Sequence, residues 1–449
     1  MVQLVDASGY TGVADRLFIP RDEAELISEL RAVHQQKIPV TIVGARTGLA
    51  GGAMPNGGWA VSLERFQICI VERGSAVVGA GTTLRDLQRA AAQTRQIYGP
   101  DPTENSSSLG GNIATNASGS RSFRYGDTRR SVLRLRVVLL DGTILDLNRG
   151  EPTPFPIPAL PRPETTKFSA GFDLHPGMDY VDLFIGSEGV LGVITQATVR
   201  LLPMPDGLLS GVVFFRREDE ALAAVEQWRD AAGLTMLEYM DGPSLALLRS
   251  RDFDVAPAAG ACLLIELEID KDSDAASDWL DRIEAAGALV DESWFGVSLA
   301  DRERFRVFRH ALPEAVNDLV RRRGFQKMGT DFAVPLRHNA GMMTFYREEL
   351  KHEFPDDAVI FGHIGDAHVH VNLLPRTAQD VERGRSLIRR FAERVVALGG
   401  TVAAEHGLGK RKRDLLAYQW TPDQLEAMRA IKTRFDPHWQ LGRGTLFAE

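Results

Sequence analysis

Apolar residues in the first 200 positions follow helical spacing in some segments and strand spacing in others. Residues 21–37 (RDEAELISELRAVHQQK) carry apolar side chains at helical intervals, and residues 39–43 (PVTIV) are mostly β-branched, which predicts a helix and then a strand. Strands are also predicted at 132–140 and 193–202. Glycine is concentrated just before such strands, in the stretches 44–58, 109–119 and 186–192. This concentration indicates main chain that runs close to a ligand.

The pattern changes after residue 205. Strand, helix and strand are predicted at 210–215, 218–231 and 234–239, and again at 261–269, 275–286 and 288–293. Two such units, whose strands could pair in antiparallel fashion, favour a ferredoxin-like α+β domain. The total length of 449 residues favours two or three domains. Residues 151–163 hold six of the 22 prolines and are predicted to form an extended surface loop.

Composition narrows the class of protein. Lys and Arg number 52 against 60 Asp and Glu, a net charge of −8, which argues against a nucleic-acid binder. The two cysteines, Cys69 and Cys262, lie far apart in apolar sequence and exclude a disulfide scaffold or a Cys-rich zinc site. We find no apolar run of membrane-spanning length and no signal peptide in MVQLVDASGY. We therefore expect a soluble, cytoplasmic protein.

Two of the glycine-rich stretches could bind a cofactor through main-chain groups. The loop 44–58 follows a strand and could present several N–H groups to a phosphate, but it contains no P-loop motif. The sequence 79–84 (GAGTTL) also lacks the third glycine of a dinucleotide fingerprint. A loop that merely turns at the surface is an equally good interpretation of 44–58. For the stretch 99–127, composition alone favours a long polar loop.

The segment 361–375 (FGHIGDAHVHVNLLP) is the most informative for chemistry. It alternates strictly from residue 368, and a strand places alternate side chains on one face, here those of His368, His370 and Asn372. A Gly-Asp turn could fold His363 back toward this face, and Glu405 and His406 follow among small residues. Two histidines and a glutamate suit a divalent transition metal such as Zn²⁺ or Mn²⁺. We predict a metal site, although any single histidine could be an ordinary core or surface group.

Two cations could together hold an anion. Arg309 lies in FRVFRHALPEAVN and Lys327 in FQKMGTDFAVPL. Taken alone, each is better explained as a surface cation, and the run 321–323 as a solvated helix face.

Several motifs, in order, resemble those of a known family. PVTIVGARTGLAGG, DPTENSSSLGGNIATNASG and DLFIGSEGVLGVIT resemble the FAD-linked oxidases of the vanillyl-alcohol-oxidase type. GHIGDAHVHVN and AAEHGLGK are similar to the group that contains D-2-hydroxyglutarate dehydrogenase, D-lactate dehydrogenase and the flavin subunit of glycolate oxidase. The resemblance implies an α+β fold with a two-lobed FAD-binding domain at 1–205, a substrate and metal domain at 206–415, and a C-terminal segment, 416–449, that returns to the FAD domain.

The resemblance also implies roles for individual residues. His363, His370 and Glu405 would be metal ligands, and His406 the general base. Arg309, Lys327 and Asn372 would hold the carboxylate end of the substrate. The residues that would contact FAD are Gly44, Ala45, Arg46, Thr47, Gly48, Leu49, Pro102, Thr103, Ser108, Gly110, Gly111, Asn116, Ser118, Gly119, Glu188, Gly189, Gly192, Val193 and Ile194.

The implied reaction is oxidation of a D-2-hydroxy acid such as lactate, glycolate or 2-hydroxyglutarate to its 2-oxo acid. A metal would lower the pKa of the hydroxyl group, His406 would take its proton, and the hydride would pass to the flavin. Electrons would leave to a quinone, an electron-transfer flavoprotein or a cytochrome, and a homodimer is compatible with the sequence. Residues 99–119 contain no His or Cys that could bond to the flavin, so we expect non-covalent FAD. A metal-free alcohol or sugar oxidase and a non-catalytic flavin subunit remain alternatives.

Four features depart from the family pattern. Arg46 stands where relatives often have glycine, and Ala367-His368 replaces the usual Gly-Asn of H-x-G-D-G-N-x-H. The sequence 442–445 (GRGT) stands in place of Asn-Pro-Gly-Lys, which leaves tail contacts to the flavin open. The proline-rich stretch 151–163 has no counterpart.

Overall fold

The computed structural model of the chain describes residues 1–269 and 275–448. The first 205 residues form twelve strands and five α-helices. The strands are β1 (Val2–Val5), β2 (Thr11–Ala14), β3 (Arg16–Phe18), β4 (Val40–Val43), β5 (Trp59–Ser62), β6 (Cys69–Glu72), β7 (Ser75–Gly79), β8 (Gln96–Ile97), β9 (Val132–Val138), β10 (Ile144–Asn148), β11 (Val193–Arg200) and β12 (Leu202–Pro203). The helices are α1 (Glu23–Gln35), α2 (Leu84–Gln93), α3 (Leu109–Thr115), α4 (Ser122–Tyr125) and α5 (Thr128–Ser131).

The helix and strand predicted at 21–43 are confirmed. Asp22 caps α1 by accepting the N–H of Glu25, and the helix buries one apolar face, formed by Leu26, Leu30 and Val33. β4 then pairs in parallel with β5, which pairs in parallel with β3. The loop 44–58 is therefore the connection between β4 and β5, at the carboxyl end of a parallel strand, where open sheets commonly bind ligands.

A second sheet of this region is antiparallel, with the order β10-β9-β11-β7-β6. Its central strands β9 and β11 confirm the strands predicted at 132–140 and 193–202. Helix α3 packs against β11 and β7. The proline-rich segment 151–163 contains no helix or strand, and Phe155, Ile157 and Leu160 pack its chain onto the core.

After residue 205, the described residues form eight strands and eight α-helices. The strands are β13 (Gly207–Phe215), β14 (Leu234–Asp241), β15 (Ala261–Ile269), β16 (Trp294–Gly296), β17 (Met328–Gly329), β18 (Phe332–Ala333), β19 (Ala358–Gly362) and β20 (His368–Leu373). The helices are α6 (Glu218–Trp228), α7 (Gly242–Arg249), α8 (Ala275–Ala285), α9 (Leu299–Arg322), α10 (Asn339–Glu353), α11 (Ala378–Ala397), α12 (Leu416–Gln419) and α13 (Pro422–Phe435).

This second region confirms the ferredoxin-like α+β prediction. The strands run in the order β16-β13-β15-β14, and the sheet continues through β19, β20 and β17. Alternate side chains of β13 and β15 enter two different apolar clusters, one shared with α6 and one with α9. The sheet is thus covered on both faces, which explains the nearly unbroken apolar sequence of β15. The strand predicted at 288–293 is wrong, because Val290–Glu292 forms a 3₁₀ helix and the strand is Trp294–Gly296.

The C-terminal segment packs back on the first region. The main chain of Val40 bonds to Gln440 and Gly442, which sets the tail beside β4. The buried Lys432 donates hydrogen bonds to the carbonyls of Val190 and Leu441. In the ranges that the structure describes, no helix is both long enough and apolar enough to cross a membrane.

Candidate active site

A cavity lies between the β4–β5 loop, the segment around α3 and the segment before β11. Of the residues expected to contact FAD, those on the cavity wall are Gly44, Ala45, Arg46, Thr47, Gly48, Leu49, Pro102, Thr103, Ser108, Gly110, Gly111, Ser118, Gly119, Glu188, Gly189, Gly192 and Ile194. The other two are not among the lining residues. Val193 is buried in an apolar cluster, and the buried amide of Asn116 bonds to Asp127 and to the carbonyl of Phe168.

The cavity wall is formed largely by main chain and small side chains. Gly119 has φ +106°, and a Cβ there would lie 2.0 Å from the carbonyl oxygen of Asp101, so only glycine fits. At Gly48, another residue of the wall, a Cβ would meet nothing within 4 Å. Arg46 has φ +59°, a left-handed conformation that favours glycine.

Glu188 connects the cavity to the segment 403–410. Its buried carboxylate accepts the main-chain N–H groups of Leu408 and Gly409, both at 2.8 Å. Burial raises the pKa of Glu188 to about 7, although both hydrogen bonds favour the ionised form. The residue expected to touch the cofactor therefore also fixes the segment that carries Glu405 and His406.

The predicted metal ligands come together beside the cavity. Strands β19 and β20 form an antiparallel pair in which Phe361 lies opposite His370. The turn Ile364–Asp366 and the left-handed Ala367, with φ +50°, then return the chain and place the rings of His363 and His370 5.5 Å apart. The alternation of the sequence 368–373 thus appears in the structure as strand β20.

Glu405 lies at the centre of this cluster. Its Oε1 is 2.9 Å from His363 Nε2 and 3.5 Å from His370 Nε2. One ligand atom from each of the two histidines, from Glu405 and from His368 falls within 4.8 Å of the others. His370 Nδ1 lies 3.1 Å from the carbonyl oxygen of Thr330, which can only accept, so the lone pair of a neutral His370 is on Nε2. These donors fit a divalent transition metal.

Two buried charges that the sequence did not indicate surround the cluster. Lys167 Nζ lies 3.2 Å from Glu405 Oε2 and 3.3 Å from Asp366 Oδ2. Glu238 Oε1 is 2.5 Å from His363 Nδ1. Lys167 stands alone in ETTKFSA and Glu238 lies inside an apolar strand, so neither belongs to a recognisable spacing.

These charges set the protonation of the cluster. Burial opposes ionisation of Glu405, but the charges of His363 and Lys167 hold the pKa of this carboxyl group well below its usual range. Burial likewise lowers the pKa of His363, yet the carboxylates of Glu238 and Glu405 raise it to about 9. Without a metal, His363 therefore carries the positive charge that a divalent ion would otherwise supply.

Asp331 is a third buried group that sequence patterns did not reveal. Its Oδ2 accepts the main-chain N–H groups of Ala404, Glu405 and His406, the last at 2.8 Å. Its Oδ1 lies 3.1 Å from His368 Nε2 and 3.5 Å from His406 Nδ1. Although burial opposes its ionisation, neighbouring His406 and His368 keep the pKa of Asp331 well below normal. Asp331 thus ties the histidine strand to the segment 404–406.

The predicted general base lies on the cavity wall. Glu405 and His406 both line the cavity. Burial lowers the pKa of His406 to about 4 against the opposing charge of Asp331, so its imidazole is neutral at pH 7 and able to accept a proton.

None of the three predicted carboxylate-binding residues is among those that line the cavity. Arg309 Nε donates to Glu238 Oε2 at 3.0 Å, and the other oxygen of Glu238 contacts His363. Asn372 is buried on β20 and donates to the carbonyl of His370. Lys327 directly precedes β17, the strand that pairs with β20. Arg309 is therefore an internal partner of the cluster rather than the surface cation that the sequence alone favoured.

Comparison with known proteins places this geometry in a family. Residues 14–148 match the FAD binding domain, and residues 208–446 match the C-terminal domain of FAD linked oxidases. The chain belongs to the FAD-linked oxidases. Among the similar proteins of this family is D-lactate dehydrogenase of Anaerostipes hadrus, 30% identical over 94% of this chain and 87% of that protein. Another is the glycolate oxidase subunit GlcD of Bacillus subtilis, 28% identical over 98% of this chain and 90% of that protein.

Solved structures agree at the level of the fold. An alkyldihydroxyacetonephosphate synthase superposes with a TM-score of 0.68 and 16% sequence identity, covering 95% of this chain and 76% of that one. The predicted family, the α+β fold class and the assignment as a flavin-dependent oxidoreductase are confirmed.

Proposed function

We propose that this FAD-linked oxidoreductase oxidises a D-2-hydroxy acid to its 2-oxo acid with the help of a divalent metal. The observation that carries the proposal is the buried His363–His370–Glu405 cluster, which adjoins the FAD cavity through Glu405 and His406. The names of the relatives, which include D-lactate dehydrogenase and a glycolate oxidase subunit, support a small hydroxy acid as the substrate class. A metal-free alcohol or sugar oxidase would leave this set of buried donors without a role.

The roles of the residues follow from their positions. When bound, FAD supplies a hydride acceptor and the metal supplies a Lewis acid that lowers the pKa of a hydroxyl group. His363, His370 and Glu405 would hold the metal, and the glycine-rich wall would hold FAD. His406 accepts the hydroxyl proton because its ring is neutral, lines the cavity and directly follows Glu405.

Cations and one amide orient the substrate. Arg309 Nε is held by Glu238 and one Nη donates to Thr103 on the cavity wall, so the remaining N–H groups of the guanidinium would bind a carboxylate. Lys327 adds a second positive charge, and Asn372 adds an amide from β20, the strand that carries His370. Arg309 contacts Glu238, the partner of His363, and Asn372 contacts the main chain of His370, so an acid bound by these groups would lie beside the proposed metal site.

We further propose that FAD is held without a covalent bond. Among the described residues on the cavity wall, His406 is the one histidine, and there is no cysteine or tyrosine. Acid precipitation should therefore release all of the yellow flavin into the supernatant. Flavin that stays in the pellet would contradict this part of the proposal.

The substrate proposal is tested by an anaerobic screen with a dye as electron acceptor. We expect reduction of the dye with D-lactate, glycolate or D-2-hydroxyglutarate, and little with L-lactate or simple alcohols. Chelator-treated protein should lose this activity while its flavin spectrum persists, and elemental analysis should find about one divalent ion per chain. Equal turnover of primary alcohols by metal-free protein would overturn the proposal.

We also propose three further properties that the sequence predicts. The chain divides into an FAD domain at 1–205, a substrate and metal domain at 206–415, and a segment at 416–449 that returns to the FAD domain. Electrons pass to a quinone, an electron-transfer flavoprotein or a cytochrome, and the protein is located in the cytoplasm.

A further inference from the structure

The cluster contains one imidazole more than the family motif supplies. His368 stands where the H-x-G-D-G-N-x-H pattern has asparagine. Its side chain is fully buried, and its ring centre lies 5.2 Å from that of His363 and 4.6 Å from that of His370. One of its nitrogens belongs to the set of four ligand atoms that lie within 4.8 Å of one another.

Asp331 determines which nitrogen of His368 carries the proton. The Asp331 carboxylate already accepts three main-chain N–H groups, so it acts as an acceptor and not as a donor. His368 Nε2, 3.1 Å from Asp331 Oδ1, must therefore donate. In the neutral ring this leaves the lone pair on Nδ1.

That Nδ1 atom has no hydrogen-bond partner among the described residues, although it is buried. A buried polar atom left unsatisfied is destabilising, so native proteins rarely keep one without a ligand or a bound water. A cation bound by the neighbouring histidines and Glu405 would satisfy the lone pair.

We propose that His368 Nδ1 is a fourth protein ligand of the metal, alongside His363, His370 and Glu405. The inference rests on the metal of the proposed function. Asp331 then acts as the outer carboxylate that orients a ligating imidazole, as Glu238 does for His363. Three imidazoles and one carboxylate favour Zn²⁺, Fe²⁺ or Co²⁺ as the bound metal. They disfavour Mn²⁺ and Mg²⁺, which prefer oxygen ligands. Substrate would then add as a fifth ligand, a coordination number that catalytic zinc sites sometimes reach in the transition state.

X-ray absorption at the zinc edge of the zinc-loaded holoenzyme tests the ligand count directly. We expect scattering from three imidazoles in the wild-type protein and from two in His368→Asn, the residue that the family pattern has. A wild-type count of two, with zinc bound, overturns this inference and leaves the proposed metal site intact. A holoenzyme that binds no zinc overturns both.

Competition with a chelator measures the same ligand by affinity. Loss of a direct ligand should weaken zinc binding by at least the roughly 10–100-fold that loss of an outer partner costs. His352→Asn, an exposed histidine on α10, serves as the control and should bind zinc like the wild type. Unchanged affinity in His368→Asn would show that a water, and not the metal, satisfies Nδ1. If His368→Asn does not fold, the wild-type ligand count still decides.

Discussion

The FAD cavity and the histidine cluster adjoin each other but are built in opposite ways. The cavity wall consists mainly of glycine, alanine, serine and threonine, so it offers main-chain N–H groups and free space. The cluster consists of fully or nearly buried charged and ionisable side chains, each within bonding distance of another. In the proposed function, FAD would thus be bound where side chains are missing, and the metal where side chains converge.

This difference makes the two halves sensitive to different changes. Where the cavity wall faces open space, adding atoms to a wall residue should weaken FAD binding without disturbing the fold. Removing one charge from the cluster should instead leave its partner buried and uncompensated, which is strongly destabilising. The following changes separate these two behaviours.

The largest effect on catalysis should come from His406→Ala. A positioned base contributes on the order of 10²–10⁴ in rate, so kcat should fall by that factor while FAD stays bound. His438→Ala, at an exposed ring, is the control and should be nearly unaffected. Steady-state kinetics together with the flavin spectrum measure both properties, and a near-normal kcat would remove His406 from the mechanism.

The largest effect on stability should come from Lys167→Met. This change leaves Glu405 and Asp366 buried without their cation, at a cost of about 3–5 kcal/mol in the free energy of unfolding. Chemical denaturation of the metal-free protein measures the loss. Lys351→Met, at an exposed position of α10, should change stability little. Equal stability of the two variants would mean that the buried charges do not depend on Lys167.

Arg309→Lys tests whether the planar guanidinium is needed beside the cluster. Lysine lacks the planar set of N–H groups with which arginine can donate to Glu238 and to a substrate carboxylate at the same time. The loss of a hydrogen bond to a charged group costs about 1.5–3 kcal/mol. We expect KM for the hydroxy acid to rise by about tenfold or more, with a smaller change in kcat. An unchanged KM would place the substrate carboxylate elsewhere.

Gly48→Ala tests the cavity without touching the cluster. The added methyl group meets no protein atom within 4 Å and belongs to a residue of the cavity wall, so we expect it to weaken FAD binding by about 1–3 kcal/mol. Gly341→Ala, equally open but inside α10, should leave FAD binding unchanged. Flavin titration of the apoproteins compares the two, and equal dissociation constants would mean that FAD does not approach Gly48.

The smallest effect is a pH dependence from Lys327. Burial, and then repulsion by Lys412, lower the pKa of Lys327 to about 8. The ammonium charge is present below this pH and lost above it, so kcat/KM should decline above pH 8, by at most about tenfold per pH unit. Lys327→Arg should keep its charge and remove the decline. A wild-type profile that stays flat to pH 9.5 would exclude Lys327 from substrate binding.

The sequence alone was sufficient for the family, the cofactor and most of the cavity wall. The glycines of such a loop lie close together in the sequence, because the main chain that surrounds a phosphate must be free of side chains over several neighbouring residues. The strand that carries His368 and His370 could also be predicted, because the alternation of polar and apolar residues that indicates a strand is visible in consecutive positions of the sequence. The strand predicted at 288–293 failed because a short apolar run fits a turn of 3₁₀ helix as well.

Only the tertiary structure brought Lys167, Glu238 and Asp331 to the site. They come from three separate segments, and each is a lone charge whose meaning depends on a partner far away in sequence, as with Lys167 and Glu405. Local patterns follow from the geometry of neighbouring residues along the chain. The pairing of buried charges is instead decided by which segments pack together, because a charge without its partner cannot remain buried.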